Sequence, residues 1–364
     1  MSKNKFNCMN IRIIAGMFLF ASLLLTACKK DNPTSVPPVT PGTYYYPPLT
    51  GSIWETVSPG ALGWNITKLN ELLEYVRINN STAFMILYKG RIVSENYWNG
   101  FTATSSQRIF SSTKSIGAFL IGLAQEQGKL NINEKVSTYL GTGWSLAPLF
   151  RENQITVKHL ITMASGLTDA LLYESNPETK WYYNTPAYHK IYAILAAAYG
   201  QTNDQYTREQ LWNKIGMQNA FWDVEPGGGP SMSCSGRDMA RFGLLMLSDG
   251  KWNGNTLMNS SSYFTEMMSS SQNLNPAYGY LWWLNGQSSF VLPGSFGQSF
   301  PGALVPNAPS DLKAALGFAD KKIYVVKSRD LVVIRHGAAS NAPVSQALSS
   351  FDNEIWRRMM VVLN

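Results

Sequence analysis

Ser111 and Lys114 are the residues whose types and spacing could carry chemistry in this sequence. They stand three positions apart, directly before an apolar stretch at residues 116–123. On a helix such a pair shares one face, one turn apart. A lysine with an ordinary pKa of ~10.4 is protonated at neutral pH and cannot accept the serine proton. We therefore predict a nucleophile and its general base here, provided that burial lowers the pKa of Lys114.

The Ser-x-x-Lys spacing is weak evidence alone, because the chain contains it four times. The other pairs are Ser2–Lys5, Ser248–Lys251 and Ser310–Lys313. The first lies in a predicted targeting segment, the second runs into an Asp-Gly turn, and the third follows a proline, so only Ser111 opens a predicted helix. A structural interpretation competes with catalysis, since Ser111, Ser112 and Thr113 could simply bond the free N–H groups of a helix start.

The N-terminus combines basic residues, an apolar run and a cysteine in the order typical of a targeting segment. Lys3, Lys5 and Arg12 precede an apolar run at residues 13–25, and small residues lead to Cys28. This run is shorter than the ~20 residues that a membrane span needs. We predict a signal peptide at 1–27, lipidation of Cys28, a Pro/Thr-rich tether at 28–50 and a folded domain at 51–364.

The residue after Cys28, the charge balance and the histidines limit the cellular location and the classes of partner that we expect. Lys29 is not the aspartate that commonly retains lipoproteins at an inner membrane, so we expect a lipid anchor in the outer membrane of the cell envelope. Without the signal peptide the chain has 27 basic and 23 acidic residues, and this balance gives no indication of nucleic-acid binding. The three histidines, His159, His189 and His336, are widely separated, so we expect neither a metal site nor a cofactor.

Hydrophobic periodicity predicts strands near both ends of the domain and helices between them. The predicted strands are 83–88, 91–97, 278–284, 314–319, 322–326 and 331–335. The predicted helices are 66–76, the Ser111 helix, 156–164, 186–199, 207–215, 237–247 and 346–362. We therefore expect an α/β (α+β) fold, in which one antiparallel sheet is built from both chain ends and flanked by helices, with an inserted all-helical lobe. The cleft between lobes is the expected place for a site.

Two segments resemble the serine β-lactamase and penicillin-binding-protein superfamily. The sequence IFSSTK at 109–114 is similar to the nucleophile helix of its class C-like branch, which includes esterases, peptidases and 6-aminohexanoate-oligomer hydrolases. The sequence ITVKHLITMASGL at 155–167 is similar to that branch's TVRHLLTHTSGL segment. The resemblance extends from about residue 83 to 334 and implies a β-lactamase/transpeptidase-like fold.

A second element of that family is a Tyr-x-Asn motif. Tyr183, Asn184 and Thr185 fall in its register, so that Thr185 replaces the usual asparagine. A literal Tyr-x-Asn starts one residue earlier, at Tyr182. The resemblance implies Tyr183 as the proton-transferring phenol and Asn184 and Thr185 as substrate contacts.

The family's third element is a Lys-Thr-Gly or His-x-Gly motif on a strand beside the site. Ala315, Leu316 and Gly317 occupy that place, which implies that Gly317 borders the substrate and that the oxyanion is held by the backbone N–H groups of Ser111 and Phe318. The usual cation is missing. His336 followed by Gly337 is a rival that lies one strand later, and we interpret His336 as structural.

The resemblance implies an acyl-enzyme mechanism. Lys114 takes the proton of Ser111, Ser111 attacks an ester or amide carbonyl, and Tyr183 passes a proton to the leaving group. We expect a small molecule or a short peptide or oligomer as substrate, and favour uncharged esters or amides because the third-element cation is absent. Two alternatives stay open, namely a β-lactamase or D-alanyl peptidase proper, and a catalytically silent lipoprotein that binds a peptide or glycan. The aromatic runs 181–183 and 280–283 could line an acyl pocket or belong to the core.

Overall fold

The computed structural model describes residues 43–259, 261–295, 297–342, 344–345 and 348–364. The predicted signal peptide, the predicted lipidation site Cys28 and the predicted tether up to residue 42 lie outside these residues. Within the described ranges, no helix combines the length and the apolar character that crossing a bilayer requires.

Most helices and strands lie where the hydrophobic periodicity of the sequence predicts them. The helices are α1 Ile66–Ile78, α2 Ser112–Glu126, α3 Val136–Leu140, α4 Leu149–Glu152, α5 Val157–Ile161, α6 Thr185–Tyr199, α7 Asn203–Thr207, α8 Asn213–Ile215, α9 Gly236–Leu247, α10 Ser261–Met267 and α11 Ser350–Leu363. The strands are β1 Ser81–Tyr88, β2 Arg91–Tyr97, β3 Gln107–Arg108, β4 Phe221–Val224, β5 Pro230–Cys234, β6 Lys251–Trp252, β7 Asn255–Thr256, β8 Trp283–Leu284, β9 Ser289–Val291, β10 Ser299–Pro301, β11 Lys313–Gly317, β12 Lys321–Val326, β13 Leu331–Gly337, β14 Val344–Ser345 and β15 Leu348–Ser349. A π-helical turn, Arg208–Trp212, joins α7 to α8.

One six-stranded sheet is built from both ends of the domain, as predicted. Its order is β2-β1-β13-β12-β11-β8, and all neighbours are antiparallel. β12 and β13 are buried along their whole length. Strands covered on both faces read as continuous apolar runs, which explains why their sequences show little alternation.

Helices cover the two faces of this sheet. On one face, Gly243 of α9 lies so close to Val332 that a Cβ at this glycine would collide with the valine side chain. On the other face, Tyr324 of β12 packs its ring edge against Trp356 of α11, with 5.6 Å between ring centroids. Alternate residues of β12 and β13 therefore face α9 and α11, which is the two-period alternation of a strand inside a layered core.

The segment between β2 and β8 forms the inserted lobe, and it is mainly helical, as expected. It also contains a three-stranded sheet in the order β3-β5-β4 that the sequence did not indicate. β3 has only two residues, Gln107 and Arg108, which pair with Cys234 and Ser233. This small sheet places the chain just before Ser111 beside the β4–β5 hairpin.

Several predicted boundaries differ from the structure, and two of these differences bear on the site or on the domain limits. In the predicted strand 278–284 only Trp283–Leu284 is a strand, because Leu281 has a positive φ of 57° and its N–H bonds the carbonyl of Ile161. The last eight residues of the predicted tether include contacts with the body: Tyr44 donates to Asp330 (2.7 Å), and Arg241 donates to the carbonyl of Pro48 (2.8 Å).

Candidate active site

Ser111 lies at the end of a tight turn that leads into α2. Phe110, just before it, has a positive φ of 47°, which is uncommon for a bulky residue and is often found at functional sites. The Ser111 side chain makes no capping hydrogen bond to the helix. Ser112 instead donates to the carbonyl of Ala315 (3.3 Å), and Thr113 accepts from the N–H of Met232 (3.1 Å). The interpretation of these three residues as helix caps is therefore wrong.

Lys114 is buried, with 2% of its surface exposed, and its Nζ lies 3.1 Å from the hydroxyl oxygen of Ser111. The Nζ also lies 4.9 Å from the ring centroid of Tyr183 and 4.3 Å from that of Tyr188. Burial lowers the pKa of Lys114 to about 8, and the negative charge of Glu225 partly opposes this by raising it. About a tenth of this amine is therefore neutral at pH 7 and half of it at pH 8, and the neutral form is the one that a general base requires.

Tyr183 reaches the same two groups from the start of α6. Burial raises the pKa of its phenol, while a hydrogen bond with Ser111 lowers it, so the phenol stays protonated. Its ring stacks on Trp283 at 6.2 Å and contacts Trp181 at 6.2 Å. Both tryptophans are buried, so they belong to the core and orient Tyr183.

The other tyrosine considered for this role points elsewhere. The hydroxyl of Tyr182 donates to the carboxylate of Asp169 at 2.8 Å, and the Nζ of Lys180 lies 5.5 Å from its ring centroid. The structure thus brings Tyr183, and not Tyr182, to Ser111 and Lys114.

Asn184 does not have the substrate-binding geometry predicted for it. Its side-chain oxygen accepts from the N–H of Ala187 (2.9 Å), which caps α6, and its NH₂ donates to the carbonyls of Leu167 (2.7 Å) and Thr168 (2.9 Å). It is 1% exposed. Its hydrogen-bonding groups are used within the protein, and the prediction of a substrate contact is corrected to a structural cap. Thr185, by contrast, lines a cleft.

The strand end at Gly317 lies against the nucleophile turn. A Cβ at Gly317 would collide with the carbonyl oxygen of Ile109, so only glycine allows this approach. The next residue, Phe318, is exposed, and its ring lies 5.5 Å from that of Phe110. β8 pairs only with Lys313 and Ala314, which leaves the rest of β11 without a β8 neighbour. Gly317 and Phe318 therefore lie beside the turn that precedes Ser111.

His336 is structural, as interpreted from the sequence. It is buried on β13, and its Nε2 lies 3.0 Å from the carbonyl oxygen of Cys234. Burial lowers the pKa of His336 to about 3. Behind the site, the buried Lys321 donates to Gln107 (2.8 Å) and to the carbonyl of Gly337, and burial lowers its pKa to about 7. The sequence did not single out Lys321.

A cleft of about 820 Å³ has Thr185, two residues after Tyr183, in its wall, whereas Ser111, Lys114 and Tyr183 are not among the residues that line it. Its walls come from α6 and from the β4–β5 hairpin, and they include Thr185, His189, Tyr192, Trp222 and Glu225. The sequence analysis missed His189 and Glu225 as site residues, because neither belongs to a motif. Across the part of the chain that the structure describes, no three His, Cys, Asp or Glu side chains are grouped as a metal site would require.

Solved structures with low sequence identity share this fold. A beta-lactamase candidate from Bacteroides dorei is 14% identical, with a TM-score of 0.65, and the match covers 83% of this chain and 99% of that one. A candidate 6-aminohexanoate-dimer hydrolase from Bacillus anthracis is 16% identical, with a TM-score of 0.63 and coverage of 85% and 86%. An octameric penicillin-binding protein homologue from Pyrococcus abyssi is 15% identical, with a TM-score of 0.57 and coverage of 84% and 77%.

Sequence comparison identifies the family. No curated protein sequence matches this chain. The family profile described as Beta-lactamase matches residues 77–302, which is more than half of the chain. This range contains Ser111, Lys114 and Tyr183. The chain therefore belongs to the beta-lactamase family, within the serine β-lactamase and penicillin-binding-protein superfamily.

Proposed function

We propose that this protein is a serine hydrolase that cleaves an ester or amide bond through an acyl-enzyme, with Ser111 as nucleophile and Lys114 as general base. The observation that carries the proposal is the 3.1 Å distance between the Lys114 Nζ and the Ser111 hydroxyl oxygen, combined with the burial of the lysine. A buried amine with a pKa of about 8 can accept the serine proton at a pH where an exposed lysine cannot. Family membership and the hydrolase among the structural neighbours support a serine hydrolase in general.

Acylation uses the Ser111, Lys114 and Tyr183 side chains, which lie together, and two backbone N–H groups. The neutral Lys114 takes the proton of Ser111, and the serine oxygen bonds the carbonyl carbon. The resulting oxyanion accepts hydrogen bonds from the backbone N–H groups of Ser111 and Phe318. The proton then passes from Lys114 through the Tyr183 hydroxyl to the leaving group as its bond to carbon breaks. Lys114 is neutral again at the end of this step.

Deacylation follows the acylation steps in reverse, with water as the nucleophile. Because burial keeps the Tyr183 phenol protonated, Tyr183 relays protons and does not act as a free phenolate base. Lys114 therefore takes the proton of the attacking water, and the Ser111 oxygen recovers a proton as the acyl group leaves. This assigns the base to one amine in both half-reactions.

The substrate class follows from what the third element lacks. Ala315 is fully buried and carries no charge at the position of the usual lysine. A carboxylate-bearing β-lactam would find no cation there, so uncharged or cationic esters and amides fit better. Nitrocefin turnover at the rate of simple esters would instead favour a β-lactamase proper.

Labelling with a fluorophosphonate tests the nucleophile directly. We expect covalent labelling of the wild type, no labelling of Ser111→Ala, and wild-type labelling of Ser270→Ala, a matched change at an exposed hydroxyl outside the site. Absence of labelling in a folded wild type, together with no turnover of p-nitrophenyl esters, would contradict the proposal. That result would favour the silent binding lipoprotein.

We also propose that the mature protein is lipid-anchored through Cys28, with a small-molecule or short peptide or oligomer substrate and its membrane as partners. Support comes from the sequence pattern around Cys28. In detergent phase separation of cells expressing the full chain, the wild type should enter the detergent phase and Cys28→Ser should not. Fractionation on a density gradient then tests the outer membrane. A wild type that stays in the aqueous phase would refute the anchor.

A further inference from the structure

Glu225 presents an unpaired carboxylate to the cleft. It starts the turn between β4 and β5, where its N–H bonds the carbonyl of Gly229 (2.7 Å) and its own carbonyl accepts from Gly228 (2.9 Å). These bonds hold the backbone of the turn and leave the side chain free. Among the residues that the structure describes, no side chain forms a hydrogen bond or ion pair with the Glu225 carboxylate.

The small β3-β5-β4 sheet brings this turn to the reaction centre. Arg108, three residues before Ser111, binds Asp223 of β4 with a shortest distance of 2.8 Å. Glu225 follows Asp223 by two positions. Its negative charge raises the pKa values of Lys114 and Tyr183, so it lies within electrostatic reach of both.

The other charged groups of the cleft do not compensate for Glu225 at the reaction centre. Asp223 is neutralised by Arg108. Burial lowers the pKa of His189 to about 4, so this imidazole is neutral at physiological pH. Lys190 lines the same cleft, but within the described part of the chain it forms no ion pair with Glu225.

The walls beside Glu225 suit a cation as well. The rings of Tyr192 and Trp222 lie 4.8 Å apart, and both line the cleft. The faces of tyrosine and tryptophan attract ammonium groups. Tyr192 is buried against Trp222, so the partly exposed Trp222 ring and the Glu225 carboxylate are the groups available in this cleft. This combination binds organic cations and disfavours anions.

We propose that this cleft binds a cationic part of the substrate, an ammonium or substituted ammonium group, with Glu225 as its counter-ion. The inference rests on the proposed hydrolase function and narrows its substrate class to esters or amides with a positive charge near the scissile bond. Carboxylate-bearing substrates are repelled from the same place.

Matched ester pairs test this preference. In one pair the acyl chain of a p-nitrophenyl ester ends in a trimethylammonium group or in its neutral tert-butyl isostere. In the other pair the same two groups are placed on the leaving side of a thioester. For at least one pair, we expect the wild type to favour the cationic member about five- to tenfold in kcat/KM.

Variants assign that preference to the carboxylate. Glu225→Gln should bring the ratio to about one, and Glu225→Lys should invert it. Glu134→Gln, which removes an exposed carboxylate outside the cleft, should leave the ratio unchanged. Because each ratio is taken within one variant, changes in the pKa of Lys114 cancel. A wild-type ratio near one in both pairs, or a preference that survives in Glu225→Gln, would overturn the inference.

A binding measurement separates this inference from the hydrolase proposal. Calorimetry on Ser111→Ala with the cationic and neutral esters reports binding without turnover. Cation-selective binding that requires Glu225, in a protein whose wild type neither turns over esters nor reacts with a fluorophosphonate, would support the cation site and refute the hydrolase. Turnover without charge selectivity would support the hydrolase and refute the cation site.

Discussion

Replacing Lys114 by methionine should make the protein inactive and more stable at pH 7. The side chain is 2% exposed, and burial lowers its pKa from 10.5 to about 8. At ~1.4 kcal/mol for each pH unit, keeping this ammonium charged in the folded state costs about 3 kcal/mol. Methionine has a similar length, carries no charge and packs well on the rings of Tyr183 and Tyr188.

The stability difference between Lys114→Met and the wild type should depend on pH, and the pKa of Lys114 gives the direction of this dependence. Between pH 8 and 10.5 the unfolded chain holds the Lys114 proton and the folded protein does not, so the wild type gains stability from this group as the pH rises. Below pH 8 both states are protonated and the full cost is present. We expect Lys114→Met to exceed the wild type by about 1–3 kcal/mol at pH 7, with the gap closing by pH 10.5.

Urea unfolding followed by tryptophan fluorescence at pH 7 and pH 10 measures this gap, and ester hydrolysis measures the loss of activity, at least ~10³-fold. Other groups that titrate are the same in both proteins and cancel in the difference. Lys214→Met, at an exposed lysine, is the control and should change neither quantity. A variant less stable than the wild type by the same amount at both pH values, or one that keeps its turnover, would refute the reasoning.

Three further outcomes follow from the same site. The kcat/KM of the wild type should rise with pH with an apparent pKa of about 8, because only neutral Lys114 accepts the proton. At pH 6 it should therefore reach only ~1% of its plateau. A flat profile from pH 6 to 9 in stopped-flow assays would contradict this. Tyr183→Phe should lower kcat about 10²- to 10⁴-fold, since the proton relay is lost. A circular dichroism spectrum like that of the wild type would show that the fold is intact. An unchanged kcat would remove Tyr183 from the mechanism. Asn184→Ala should lower the free energy of unfolding by about 1 kcal/mol or more, because the α6 cap is lost. The same change should leave KM unchanged. A raised KM at unchanged stability would instead support the substrate contact predicted from the sequence.

Most of the fold was predictable because local patterns and the core agree. The Ser111 helix, the hairpin of β1 and β2 and the C-terminal strands are long segments with apolar periodicity bounded by turn residues. The short strands of the inserted lobe were not predictable. β3 has two residues, and it is a strand only because β5 supplies its hydrogen-bonding partners from more than a hundred residues away.

The sequence by itself determined the one-turn relation between Ser111 and Lys114, since helical spacing alone brings two such side chains together. It also put Tyr183, through the register of a motif, ahead of Tyr182. Only the tertiary structure decided whether that lysine could be a base, because its pKa depends on burial under rings from distant segments. The same holds for Asn184, which caps its own helix, and for Glu225, which the small sheet carries to the cleft. The charge state and the ligand contacts of a side chain depend on the groups that surround it in space, and local sequence spacing does not determine which groups these are.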